Sequence, residues 1–297
     1  RPPHPDDHTI GLYADQADPG LPADGPRVGV PEARALPGLL ELERALRPLK
    51  GYRPPARPHR SSRLDLDERA TAEDTARAGG LLLPVFRRDP RGQVELQLLM
   101  DATPAMRVWQ RMLGELTEVF ARIGAFRDIQ VHYLHESPDG ALAISRRLDP
   151  GAAPLRPARQ LADPTGRRLT VLVSDCTGPL WRDGAAHRLL YRLSRHAQVA
   201  VVQPLPQRLW ARTRLPVSYG TLLREEGPGA SARLRFRSDE PRRRNDARGD
   251  AVPVPVMPPT PAALGAWAGL LSGPGAGSVR AAVGWVRPDQ PAAAPAR

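Results

Sequence analysis

The chain has 297 residues, with 43 arginines and lysines against 32 acidic residues, for a formal charge of +11. That length can bury the core of one large α/β domain with extra segments, while the single cysteine, Cys176, excludes an internal disulfide framework and a cysteine-based zinc site. No apolar run approaches the roughly 18 residues of a membrane-crossing helix, and no charged-then-apolar leader follows Arg1, so a cytoplasmic location is expected for a chain that reads as a piece of something longer.

A net charge of this size ordinarily points to phosphate-bearing partners. Here Lys50 is the only lysine, and the arginines fall across every segment. Their one cluster, Arg242 to Arg244, stands beside Asp239, Glu240, Asp246 and Asp250. That scatter fits a high-GC coding bias better than a nucleic-acid face, so nucleic acid is not the expected partner.

Residues 1 to 35 are polar and Pro-rich, which predicts an extended arm. Leu39, Leu40, Leu42, Leu46 and Leu49 predict a helix over 36–49, with Pro37 in its first turn. A Pro- and Arg-rich connector at 52–62 precedes a second helix from Asp65 or Asp67 to Ala78, which Gly79 and Gly80 stop. Leu81 to Phe86 and Val94 to Met100 then predict a hairpin across the polar turn at 87–92. From Pro104 to about Ile123, apolar residues recur at spacings of three and four, the mark of an amphipathic helix with Thr103 at its N-cap.

Ile129 to His135 alternates like a strand, and the Ser137-Pro138-Asp139-Gly140 turn returns Ala141 to Ser145 antiparallel to it. Leu169 to Ser174 is an apolar run of the kind buried on both faces. Ala185 to Ala197 predicts a helix, Gln198 to Gln203 a strand, Val252 to Met257 an edge strand that tolerates its prolines, and Thr260 to Leu271 a last helix. The order predicts a doubly wound, mostly parallel six-stranded sheet of order 3-2-1-4-5-6, helices on both faces. Three units are expected: a Pro-rich arm with two short helices at 1–79, the α/β domain at 80–288 and a disordered tail at 289–297.

In that order the Val94 and Leu169 strands are neighbours where the winding reverses, and ligands of open α/β sheets bind at such carboxyl ends. Asp101, Thr103 and Asp175 stand there, an oxygen set suited to a hard cation such as Mg²⁺. The stretch Leu96-Gln97-Leu98-Leu99-Met100-Asp101-Ala102-Thr103, its following helix, and Val171-Leu172-Val173-Ser174-Asp175 resemble the first and fourth strands of von Willebrand factor A domains. That family's metal-ion-dependent adhesion site uses an Asp-x-Ser-x-Ser loop and a second Asp after strand four. More narrowly, Asp101 to Trp109, Gly124 to Tyr133, Ser174 to Gly184 and Val252 to Leu271 are similar to the A-like module at the N-terminus of large multidomain actinobacterial proteins of regulatory and conflict systems.

The resemblance spans about residues 80–290. It implies a non-catalytic docking or scaffold module with a degenerate adhesion site: Mg²⁺ held by Asp101, Thr103 and Asp175, and a protein partner, such as an ATPase or effector module, met by Thr177 and Trp181. Thr103 replaces the family's first serine, and Ala105 stands where its second hydroxyl belongs, which removes a ligand; Thr165 is no clear match for the family's loop threonine.

Other roles compete. Asp101 could cap the helix after it, and Asp175 its own loop. Cys176 reads as a small buried apolar residue rather than a nucleophile. His132 and His135 fall on opposite faces of a strand, and His187 and His196 lie nine residues apart on one helix, so neither pair predicts a metal site. A metal-dependent hydrolase using Asp101 and Asp175, and an arginine-mediated nucleic-acid binder, are the alternatives from other classes.

Overall fold

A computed structural model describes residues 35–36, 38–54, 64–88, 94–137, 140–224, 234–239, 250–273 and 277–289. The arm before residue 35, most of the connector, residues 89–92 of the first turn, Pro138-Asp139, the arginine cluster and residues 290–297 of the tail lie outside the described residues. In chain order the helices are α1 (Leu39–Leu46), α2 (Glu68–Arg77), α3 (Gln110–Ile123), α4 (Pro179–Arg182), α5 (Ala185–Ser194) and α6 (Pro261–Ser272). The strands are β1 (Leu64–Leu66), β2 (Phe86–Arg88), β3 (Glu95–Asp101), β4 (Asp128–Glu136), β5 (Leu142–Ser145), β6 (Arg156–Pro157), β7 (Arg168–Val173), β8 (Val199–Val202), β9 (Val217–Arg224), β10 (Leu234–Ser238), β11 (Val252–Met257) and β12 (Gly277–Val286). No helix among the described residues is long and apolar enough to cross a membrane.

Ten of these strands form one sheet in the order β10-β9-β12-β11-β8-β7-β3-β4-β5-β6. This overturns the six-stranded, mostly parallel doubly wound sheet: four strand pairings are parallel and five antiparallel. Parallel pairing is confined to the centre, from β11 to β4, and antiparallel wings extend it on both sides. The outer strands β9 and β10 have weak signatures because buried or half-buried positions alternate there with more exposed ones. In β10, Leu234 and Phe236 alternate with Arg235 and Arg237, as suits a charged edge strand that resists pairing with another chain. The opposite edge, β6, ends on Pro157.

Strand β11 is interior, paired with β12 on one side and β8 on the other. The N–H of Gln203, just past β8, donates to the carbonyl of Met257. Residues facing one neighbour alternate along a strand, so Pro253 and Pro255 face β8 as well. Their missing N–H groups fall on that side, and β8 pairs with β11 only at Val256 and Met257. The prolines that predicted an edge are thus accommodated by shortening one internal pairing.

Period-two alternation divides the core in two. Leu96, Leu98 and Met100 of β3 and Leu169, Val171 and Val173 of β7 meet α1, α3 and α6 on one face. Leu99, Leu172, Val199 and Val201 meet Trp181 of α4 and the leucines of α5 on the other. Helix α1, expected in an arm outside the domain, belongs to the first layer: Leu36, Leu39, Leu42, Leu46 and Leu49 are buried there, each worth about 2 kcal/mol of transfer free energy. Its entry is fixed by Glu115 of α3, which accepts the N–H groups of Ala35 and Leu36 at 3.0 and 2.7 Å. Burial opposes the charge on Glu115, but those two bonds and Arg111 hold its carboxyl below its usual range. Helix α6 is apolar nearly all round, with only the small residues Ala262, Ala266 and Gly269 exposed, and Gly265 lets it approach α1, where an added Cβ would stand 3.0 Å from that of Ala45.

The predicted hairpin of residues 81–86 with the β3 strand does not form. Residues 81–85 have no regular structure, and β2 pairs antiparallel with β1 in a separate two-stranded sheet beside α2. Asp67 caps α2, its side chain accepting from the N–H of Ala70. The predicted helix from Pro104 begins instead as a 3-10 turn, Pro104–Trp109, and becomes α3 only at Gln110.

Candidate functional site at the central strand tips

Register places the site. Met100 of β3 pairs with Val173 of β7, so the residue level with Asp101 is Ser174, not Asp175. Asp101 follows Leu99, and Ser174 follows Leu172, on the face that α4 and α5 cover. The Ser174 hydroxyl therefore donates to Oδ2 of Asp101. The indole N–H of Trp181 lies 3.1 Å from the same oxygen and 2.8 Å from the Ser174 Oγ. Asp101 is completely buried, and burial raises its carboxyl to about 6, against the pull of the Ser174 and Trp181 hydrogen bonds and with a smaller push from the Asp175 charge.

The loop after β7 is tightly tied. The N–H of Cys176 donates to the Ser174 Oγ at 2.9 Å, and that of Thr177 to Oδ1 of Asp175 at 2.9 Å. The Gln203 side chain donates to the Asp175 carbonyl at 3.0 Å, and the N–H of Arg214 to the Cys176 carbonyl at 2.9 Å. These bonds hold Cys176 at φ 57°, a left-handed conformation that costs a non-glycine residue about 1 kcal/mol. Gly178 then lies against Thr103: a Cβ there would come within 2.8 Å of the Thr103 Cγ2.

Two oxygens at this tip have no partner. Oδ1 of Asp101 and Oγ1 of Thr103 are both shielded from solvent and accept or donate no hydrogen bond. Buried polar atoms are nearly always paired, so an orphaned carboxylate oxygen and an orphaned hydroxyl two residues apart single out this tip as the candidate site. Both are hard oxygen donors, which fits Mg²⁺, with Asp175 the further carboxylate near enough to act on Asp101. The donor set is short of protein ligands: among the described residues no group of three or more His, Cys, Asp or Glu side chains could hold a metal ion.

Several sequence expectations change here. Asp101 caps no helix, because its bonds go to Ser174 and Trp181; Thr103 makes no side-chain cap to the turn after it. Asp175 does cap its own loop, through Thr177. Thr177 is exposed as a partner-facing residue must be, but Trp181 is only 2 % exposed and cannot meet a partner. Its ring is enclosed by the α5 layer and packs edge-on against His187, with centroids 5.2 Å apart. Thr165 stands before β7, at the opposite end of the strand, where its hydroxyl bonds Asp163 at 2.6 Å. Ala105 is exposed and offers no oxygen. Ser174 was missed; its signal was a strand-end hydroxyl level with an inward carboxylate.

His187 bonds the Arg214 carbonyl through Nε2 at 3.0 Å, while its Nδ1 is buried without a partner; His135 lies 2.8 Å from the Ser145 hydroxyl, and burial lowers the pKa of both rings. Burial pushes the Cys176 thiol well up, with Asp101 adding to the effect. No protein-family profile matches the chain, and neither does any curated protein or any solved structure.

Proposed function

We propose that the chain is a non-catalytic docking module that meets a carboxylate-bearing protein partner at the central strand tips through a divalent cation held by Asp101, Thr103 and Asp175. The observation that carries this reading is the pair of orphaned buried oxygens, Asp101 Oδ1 and Thr103 Oγ1. Mg²⁺ would supply them with a shared electrophile and offer its remaining positions to water and an incoming carboxylate. The strained, multiply bonded turn at Cys176 supports a functional tip, since such conformations persist where surrounding structure over-determines them. Thr177 and Val108, the latter 73 % exposed on the turn leaving β3, give the tip a small mixed surface for contact.

The resemblance to von Willebrand A-like modules supports a protein as the partner, with an ATPase or effector module of the same system the proposed class. The protonated, buried Cys176 and the tie of His135 to Ser145 support docking over hydrolysis. The test is calorimetric titration of Mg²⁺ and Mn²⁺ into the parent, Asp101→Asn and Thr103→Val at pH 7.5. Heat in the parent that is lost in both variants is the expected result; no heat in the parent sinks the cation. Phosphoester turnover by the parent that disappears in Asp101→Asn would instead establish the hydrolase, and polyanion binding that falls steeply with salt the arginine-mediated alternative.

A further inference from the structure

The loops that leave β3, β7 and β8 at their carboxyl ends, residues 102–109, 176–184 and 203–216, carry Arg107, Arg182, Arg208, Arg212 and Arg214 against a single acidic residue, Asp183. All five arginines are exposed, and none forms an ion pair with another described residue. Elsewhere acids stand against arginines: Arg69 and Arg77 meet acids of α2, Arg122 meets Glu43 and Glu118, and Arg168 meets Glu95. Glu136, an exposed acid that also stands at the tip end, terminates β4, on the far side of β3 from β7 and β8.

Hydrogen bonds gather these loops around one point. The N–H of Asp175 donates to Sδ of Met106 at 3.3 Å, next to Arg107. That of Arg182 donates to the Gly178 carbonyl at 3.2 Å, and that of Arg214 to the Cys176 carbonyl at 2.9 Å. Arg208 and Arg212 stand on the 3-10 turn Gln207–Arg212 just before Arg214. Arginines that are scattered in the sequence are thus collected by the fold around the recessed Asp101 and Asp175. An unpartnered guanidinium matches a carboxylate or a phosphate. Trp181 and Trp210 are buried and Trp109 packs against the core, so these loops expose no ring to stack on a base, and the aspartates at their centre would repel a phosphate chain laid across them. A protein carboxylate is the better match.

We propose that the partner docks an acidic peptide segment on this face, with several of its carboxylates paired to the free arginines, Arg212 and Arg214 among them, beside the one that the cation takes. The inference rests on the docking reading above and gives the partner its chemistry. A short peptide of alternating glutamate and glycine and an oligothymidylate of equal charge are the probes. Each is titrated calorimetrically into the full chain, into Arg212→Gln combined with Arg214→Gln, and into Arg192→Gln combined with Arg195→Gln. The last pair removes the same charge from exposed positions at the far end of α5. Every titration is run with Mg²⁺ and again with EDTA.

The glutamate peptide is expected to bind the parent, to bind the tip pair about tenfold more weakly, the worth of two exposed ion pairs, and to bind the α5 pair within about twofold of the parent. The tenfold loss is expected with and without Mg²⁺, because arginines and cation take different carboxylates. A peptide affinity that needs Mg²⁺ but is equal in the two variant pairs keeps the cation and overturns the acidic segment. An affinity that needs the tip arginines but ignores Mg²⁺ supports the acidic segment and sinks the cation. No binding of the peptide by the parent overturns the proposal, and so does an oligothymidylate that binds more tightly than the peptide and is weakened in the tip pair, which would make the face a nucleic-acid site. The parent measurements do not depend on any variant folding.

Discussion

Trp181 at the strand tips and Trp267 on α6 are both buried, and their indole N–H groups fare in opposite ways. At the tips the Trp181 N–H serves a carboxylate and a hydroxyl within a dense set of bonds, and the orphaned atoms are oxygens. On α6 the Trp267 N–H is itself the orphan. The two buried tryptophans are thus told apart by whether the indole donor is partnered.

The largest expected effect belongs to Asp101. Its folded pKa of about 6 lies above the ordinary 3.8, so the stability it contributes by holding a proton is complete below about pH 4 and is lost as pH rises through about 6. The loss amounts to about 3 kcal/mol. Urea unfolding from pH 4 to 7.5 should show this decline in the parent and its removal in Asp101→Asn; parallel curves would remove the buried charge from the account. Added Mg²⁺ should restore stability above pH 6 in the parent only.

Next comes the tryptophan pair. Trp181→Phe and Trp267→Phe lose the same volume, but the first also strips a donor from a buried carboxylate. It should cost about 2 kcal/mol more than the second in unfolding free energy. Equal costs would erase the contrast between the sites. The smallest effect is at Gly178, where an alanine must displace Thr103: Gly178→Ala should cost about 1 kcal/mol. Thr103→Ser removes the obstructing methyl, so the double variant should recover most of that loss, and additivity would show that the two do not touch.

Most of the parallel centre was legible because β7 and β8 are almost wholly apolar, β3 nearly so, β4 alternates, and α3 repeats every three to four residues. The antiparallel wings were not, since Leu234-Arg235-Phe236-Arg237 reads as one more arginine-rich loop unless a partner strand is known to lie beside it. Chain order brought Asp101, Thr103 and Asp175 to one tip, but chain order carries no register. Register made Ser174 the neighbour of Asp101 and turned Trp181 inward.

The prolines of β11 have a consequence for how the molecule comes apart. Only two residue pairs join β8 to β11, so few amide hydrogen bonds cross that line. What fastens the β9–β12 wing to the rest is side-chain packing, of α6 on α1 at one face, where Gly265 meets Ala45, and of Val254, Val256, Ala282 and Val286 on the α5 leucines at the other. Regions joined in this way open as separate cooperative units. Amide exchange should therefore run faster across the whole wing than in β3 and β7, and a bulky residue at Gly265 should widen the gap while leaving the strand-tip amides protected.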